Sequence, residues 1–313
     1  MCEGKSMKRV AAIDCGTNSI RLLISDIDTS TNTATDVVRE MRIVRLGEGV
    51  DKTNAFLPRA LERTFKAVEE YDKLLLKHNV EHVRFVATSA TRDAQNKAMF
   101  IKGVIDRLRI VPEVIAGVEE AALSFDGATR SLRQKHSAPF LVIDLGGGST
   151  ELVIGDKAPT GAYSMDVGCV RMTERHTPGG NPTKAQEEAI RTDVRNALKV
   201  AGTKVDWKTA KTVVGVAGTI TTVAAHVLNL KTYDPDVLHG VSISAEQVSQ
   251  TAQDFITLTP AQRGALPYMH EGRIEVITAG SIVLDEVMKG IGAQTLIASE
   301  RDILDGVTWS QVQ

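Results

Sequence analysis

Apolar residues at Leu61, Phe65, Val68 and Leu75 fall close to one face of a helix behind Pro58, a residue suited to a first helical turn. This predicts a helix over 58–77. Elsewhere the apolar positions come in short runs bounded by polar turns, which is the pattern of strands. Arg9 to Ile13 leads into the turn Asp14 to Ser19, and apolar residues resume at Ile20, Leu22, Leu23, Ile24 and Ile27, predicting a hairpin. A third strand is expected across Val37 to Leu46, and a fourth at 83–88 ahead of the polar turn SATRDAQN. Ala98 to Leu108 patterns as a helix, a short strand follows near Val111 to Ile115, and another helix begins after Gly117.

The second half repeats the first. FLVIDLGGGSTELVIG, from Phe140 to Gly155, has the strand, turn, strand order of VAAIDCGTNSIRLLI, from Val10 to Ile24, and Asp144 and Asp14 each stand where the turn begins. Similarity at a separation of 130 predicts two related sheets facing a common cleft. A third turn follows a strand at 213–215, with Gly218 ahead of a helix from about Thr219. Thr183 with Gln186, and Thr259 with Gln262 around Pro260, are capping pairs that start helices, the first running to about Ala201. Ile274 to Met288 reads as a helix carrying the small residues AGS at 279–281. Gln294 to Ala298 reads as a strand, and Ser299 to Gly306 as a last short turn or helix.

This alternation defines an α/β protein, and 313 residues at about 150 per domain predict two domains, placed at 1–137 and 138–313. The net charge of -2 gives no general drive toward nucleic acid or membrane, so an anion must be held by a local site. Two Trp, four Tyr and seven Phe leave little for base stacking. Cys2, Cys15 and Cys169 are too scattered for a disulfide framework, and the apolar runs are too short to span a bilayer, so the cytoplasm is the expected location. The seven histidines show no HExxH or HxH spacing, which argues against a zinc hydrolase.

The turns carry the chemistry. Glycines without side chains let backbone N–H groups approach phosphate oxygens, and small hydroxyls add donors. Gly146, Gly147, Gly148, Ser149 and Thr150 have that character, Gly16, Thr17, Asn18 and Ser19 a less glycine-rich version of it, and Gly218 with Thr219 a third. None of these matches GxxxxGK[ST] or GxGxxG, so the P-loop and the dinucleotide fingerprint lack support. In a phosphate cleft Asp14 and Asp144 are suited to hold Mg²⁺; the competing reading is that each caps its own turn. Glu151 is placed to orient water or metal. Arg21 and Arg92 follow turns and can neutralise phosphate oxygens, or pair with a surface acid. With no GxSxG elbow, water is the expected attacker, and Glu119 or Glu120 can take its proton; the bland reading is that both acids complement a helix N-terminus.

The segments AAIDCGTNSIRLLI, ATSATRDAQN, IAGVEEAAL, IDLGGGSTELVIG, DVGCVRMTE, GVAGTITTVAA, AGSIVLDEV and SERDILDGV, in this order and spacing, resemble the exopolyphosphatase and guanosine pentaphosphatase family over nearly the whole chain. The resemblance implies two ribonuclease-H-like domains of the actin, Hsp70 and sugar-kinase superfamily, mixed sheets flanked by helices, with the active site in the cleft between them. It makes Asp14 to Ser19 and Asp144 to Thr150 the phosphate loops, Glu120 the base with Glu119 as the neighbouring choice, and Arg92 a substrate-binding arginine. Asp144 and Glu151 match acidic positions linked to metal and water. Family members often read EEARL, so Ala122 here removes a positive side chain.

The activity implied is release of phosphate from the end of linear polyphosphate with Mg²⁺, or Mn²⁺ in its place. The related activity on the 5′ phosphate of guanosine pentaphosphate (pppGpp) presents the same anhydride to the same loops. Longer family enzymes carry further helical domains, and a chain without them is expected to favour short polymers. A homodimer is compatible with the resemblance, with no interface identifiable from these residues. A phosphotransferase of the same superfamily and a nucleotide-gated, actin-like interaction protein are the readings of other classes, and the EE pair weighs against the latter.

Overall fold

The computed structural model of the chain describes residues 7–31, 33–177 and 181–312; Cys2 lies outside them. Two compact units are present, the first built from the chain up to Leu123 together with the segment from Ile303 onward, the second from Ser124–Asp302. The division therefore differs from the 137/138 boundary expected from sequence. It falls inside the helix Gly117–Arg130, and the last helix, Ile303–Ser310, returns to the first unit. The cause is burial: Ile303, Leu304 and Val307 pack with Ala12, Leu23, Val86 and Ile115, nearly 200 residues or more away in sequence.

In the first unit, β1 (Met7–Cys15) pairs antiparallel with β2 (Ser19–Asp28), and β2 antiparallel with β3 (Thr33–Ile43). β4 (His82–Ala87) runs parallel to β1, and β5 (Glu113–Val114) parallel to β4, giving the order β3-β2-β1-β4-β5. Successive side chains of a strand point to opposite faces. Ala11, Ile13 and Cys15 of β1 accordingly join one core with Leu61, Val68 and Tyr71 of the helix Pro58–Lys77 and with Phe100 and Val104 of the helix Lys97–Leu108. Ala12 joins the cluster made with the returning C-terminal helix.

The second unit contains β6 (Phe140–Leu145), β7 (Thr150–Gly155), β8 (Pro159–Met165), β9 (Thr212–Val216), β10 (Ser242–Ser244) and β11 (Thr295–Ala298), ordered β10-β11-β9-β6-β7-β8. The β6-β7-β8 meander with β9 and β11 parallel beside it reproduces the strand arrangement of the first unit, so the repeat read at a spacing of 130 residues is a repeat of topology. Its core is filled by Ile190 and Val194 of the helix Lys184–Ala201, Val223 of Ala217–Val227, Phe255 of Ala245–Thr257, and Ile282 and Val283 of Ile277–Ile291. Thr183 and Gln186 form a reciprocal capping box at the first of these, a feature worth about 1 kcal/mol. The helix expected over 274–288 starts three residues later, behind a short turn at Glu271–Arg273, and ends where Gly292 takes a left-handed φ of 73°. Among the described residues no helix is long and apolar enough to cross a membrane.

Candidate functional site

The first turn is shaped by strand pairing. Asp14 and Arg21 are directly opposite in the β1–β2 register, and both Nε and Nη2 of Arg21 donate to Asp14 Oδ2, at 3.1 and 2.5 Å. Arg21 is thus tied to the acid of its own turn. Gly16 N–H closes the turn on Ser19 O at 2.9 Å, and among the described residues the N–H groups of Thr17 and Asn18 donate to no protein acceptor. Because β4 lies parallel to β1, the residues after β4 arrive beside this turn: Thr88 N–H donates to Cys15 O, and the Thr17 and Ser89 hydroxyls share a hydrogen bond of 3.0 Å. Gly47 completes the packing, since a Cβ there would run into the Thr17 side chain.

Arg92 lies in the last turn of the short helix Ser89–Asp93. Its Nη1 donates to Ile115 O at 3.1 Å and to Glu120 Oε2 at 2.5 Å, so this arginine holds the glutamate, while its Nε and Nη2 make no protein hydrogen bond among the described residues. Glu120 is only 8% exposed. Burial pushes its carboxyl above the usual range; Arg92 and the Thr88 hydroxyl pull the other way, Asp14 adds to the rise, and the net direction is upward. Glu119 differs from its neighbour: its side chain is 47% exposed and pairs with Arg84 at 2.6 Å. The two neighbours, between which the sequence leaves the choice of base open, thus differ in burial.

The second turn has the same closure. Gly146 N–H donates to Ser149 O at 3.0 Å, while the N–H groups of Gly147, Gly148 and Ser149 donate to no protein acceptor among the described residues. The turn carbonyls are used instead. Gly146 O accepts from Cys169 N–H, and Gly147 O from Val170 and Arg171 N–H, so the turn caps the helix Cys169–His176 and Arg171 Nε adds a bond to Gly148 O. With the carbonyls turned to that helix, the amides are available to an anion. Gly168 lets the chain pass, because a Cβ there would overlap the backbone of Gly147 and Gly148. Thr150 Oγ1 donates to Val167 O. Glu151 lies opposite Asp144 in the β6–β7 register and accepts from Ser164 Oγ at 2.6 Å, and Asp144 Oδ2 accepts from Ser124 Oγ at 2.5 Å.

The third turn joins β9 to the helix Ala217–Val227, and Ala217 there has a φ of 73°, a strained conformation for a residue with a side chain. Gly218 lies against Arg273, whose guanidinium occupies the place a Cβ would take. Arg273 Nη1 donates to Gly218 O at 2.6 Å and Thr222 Oγ1 at 2.7 Å, and the group sits over the Tyr233 ring. Its Nε and Nη2 make no protein hydrogen bond among the described residues. Sequence reasoning missed Arg273, because its anchor lies 55 positions upstream. The AGS segment serves packing: a Cβ on Gly280 would meet Thr219 and Cys169.

Several groups are set aside by their surroundings. Burial pushes the Cys15 and Cys169 thiols up, so neither supplies a thiolate at neutral pH. His226 is bonded to Tyr268 and Asp254, and His176 to Asp193. Among the described residues no group of three or more His, Cys, Asp or Glu is gathered to hold a metal ion. Mg²⁺ needs less than that, since one or two carboxylates with water and substrate phosphates complete its six oxygens. Asp144 and Glu151, both buried and each bonded to a serine hydroxyl, fit this requirement; Asp14 fits less well, its Oδ2 being held by a guanidinium.

The chain is similar to several known proteins over nearly its whole length. Exopolyphosphatase 2 of Mycobacterium tuberculosis is 44% identical over 316 residues, covering 97% of this chain and 99% of that protein. The crystal structure of an exopolyphosphatase-like protein superposes with a TM-score of 0.94 at 41% identity, covering 98% of both chains. The crystal structure of the Aquifex aeolicus Ppx/GppA family member does so with a TM-score of 0.80 at 30% identity, again over 98% of both. The family model described as Ppx/GppA phosphatase matches residues 23–313, and the chain belongs to that family of phosphatases.

Proposed function

We propose that the protein is an exopolyphosphatase, hydrolysing the terminal phosphoanhydride of linear polyphosphate and releasing inorganic phosphate. The two units act as ribonuclease-H-like domains, and the turns after Asp14 and Asp144 bind the phosphoryl groups of the substrate. The observation that carries this reading is Glu120: a buried carboxyl pushed up by its surroundings, oriented by Arg92 and Thr88 beside the first turn. A base works best when its pKa approaches the operating pH, and Glu120 is shifted in that direction.

In this mechanism Glu120 takes the proton of a water molecule lined up with the terminal phosphorus. The amides of Thr17, Asn18, Gly147, Gly148 and Ser149 hold the phosphoryl oxygens, with the hydroxyls of the same turns beside them. The Nε and Nη2 groups of Arg92 and Arg273, which make no protein hydrogen bond among the described residues, answer the negative charge of the chain. Asp144 and Glu151 would hold Mg²⁺, or Mn²⁺, which when bound draws electron density from phosphorus and offsets the negative charge of the leaving oxygen. Positioning and electrostatics supply the rate, without a covalent intermediate.

Linear polyphosphate is the reading supported by the similarity, over nearly the whole chain, to an exopolyphosphatase and an exopolyphosphatase-like protein. A phosphate-release assay across polymer lengths, with pppGpp and ATP as comparators and Mg²⁺ titrated, tests it. The expected result is the highest kcat/KM on short linear polyphosphate; a higher value on pppGpp would assign the site to the nucleotide, and release from neither would reject hydrolysis of this anhydride.

A further inference from the structure

Ser124, whose hydroxyl donates to Asp144, lies on the helix that carries Glu120. Ser124 follows Glu120 by four positions in the helix Gly117–Arg130, so the two side chains leave the same helix face about 5–6 Å apart at Cβ. Ser124 is fully buried, and its hydroxyl donates to Asp144 Oδ2 at 2.5 Å. A helical Ser or Thr ordinarily satisfies its hydroxyl on the carbonyl four residues back. Thr129 of the same helix does so, with Phe125 O at 2.8 Å. Ser124 instead spends its proton on a carboxylate outside the helix. Packing alone does not call for this hydroxyl, since alanine would occupy nearly the same volume and is the better helix former.

We propose that Ser124 is a positioning residue that fixes the Asp144 carboxylate for cation binding. A hydroxyl donor sets the orientation of the carboxylate without adding a counter-charge, whereas the guanidinium of Arg21 on Asp14 adds one. The inference rests on the reading of Asp144 as a cation ligand given above.

The test is Mn²⁺ binding, followed by electron paramagnetic resonance in the presence of inorganic phosphate, for the wild type, Ser124→Ala, Ser124→Thr, Asp144→Asn and the double variant Ser124→Ala/Asp144→Asn. Circular dichroism confirms that each is folded. Loss of a hydrogen bond to a metal-binding carboxylate typically weakens affinity about 10- to 100-fold, and Ser124→Ala is expected to fall in that range. Ser124→Thr, which keeps the hydroxyl, retains affinity, and Ser124→Ala adds no further loss to Asp144→Asn. Wild-type affinity in Ser124→Ala, or an equal loss in the Asp144→Asn background, overturns the role of Ser124 while leaving Asp144 as a ligand. If Asp144→Asn binds Mn²⁺ as the wild type does, the cation assignment itself falls and the role of Ser124 falls with it.

Discussion

Replacing Glu120 by glutamine separates catalysis from stability. The substitution keeps the size of the side chain and removes its ability to accept a proton from water. General bases contribute about 100- to 10,000-fold, which at 1.36 kcal/mol per decade is about 2.7–5.5 kcal/mol of transition-state stabilisation. Phosphate release by Glu120→Gln should fall within that range, with little change in KM. Stability should move the other way. Desolvation raises the folded-state pKa of Glu120 despite the pull of Arg92, so its ionisation works against the fold. The contribution of the neutral carboxyl is fully present below the unfolded carboxyl pKa and is lost as pH rises through the raised folded value. Glutamine resembles the neutral form at every pH. Glu120→Gln should therefore melt above the wild type at pH 8, with the difference shrinking toward pH 4. A variant that keeps wild-type kcat would refute the assignment as base, and one that melts lower at pH 8 would show that the ion pair with Arg92 outweighs desolvation.

Three further outcomes follow from the same geometry. Arg92→Ala removes a group that lowers the Glu120 pKa, so the rising limb of the pH–rate profile should move to higher pH; an unshifted limb would separate Arg92 from the base. Glu119→Gln, at a half-exposed surface pair with Arg84, should change stability by no more than about 0.5 kcal/mol and leave phosphate release near wild type, which urea melts and the release assay check together. Gly168→Ala places a Cβ on the backbone of Gly147 and Gly148, and overpacking of this kind typically costs about 1–3 kcal/mol; urea denaturation should show that loss together with reduced phosphate release.

Elements governed by local signals were legible in the chain. The helix Pro58–Lys77 has the predicted range because its apolar stripe and its proline are both local, and the capping box at Thr183 starts the expected helix. The box at Thr259 shows the limit of such a signal: it marks a beginning only, and the helix Pro260–Gly264 ends after five residues. A third box, at Ser244 and Gln247, starts the helix Ala245–Thr257, which is not among the elements expected from the sequence. β8 was not read, because as an edge strand it is mostly half-buried and its pattern is faint. The helix Cys169–His176 escaped as well, its first turn being held by the carbonyls of a distant turn.

The candidate site was legible in the same measure. Asp14, Asp144 and the glycines stand out through the repeat, whereas the pairings the structure shows for them depend on register and on the fold. The facing of Arg21 and Asp14 across β1–β2, the grip of Arg92 on Glu120, and the approach of Arg273 to Gly218 all join residues that nothing in the linear pattern connects.

Hydrolysis of a defined-length linear polyphosphate in ¹⁸O-enriched water, with products resolved by length and by mass, should show single phosphates released from chain ends from the first turnover, each carrying one solvent oxygen. Intermediate-length fragments at early times, or released phosphate without solvent oxygen, would contradict attack by activated water on the terminal phosphoryl group.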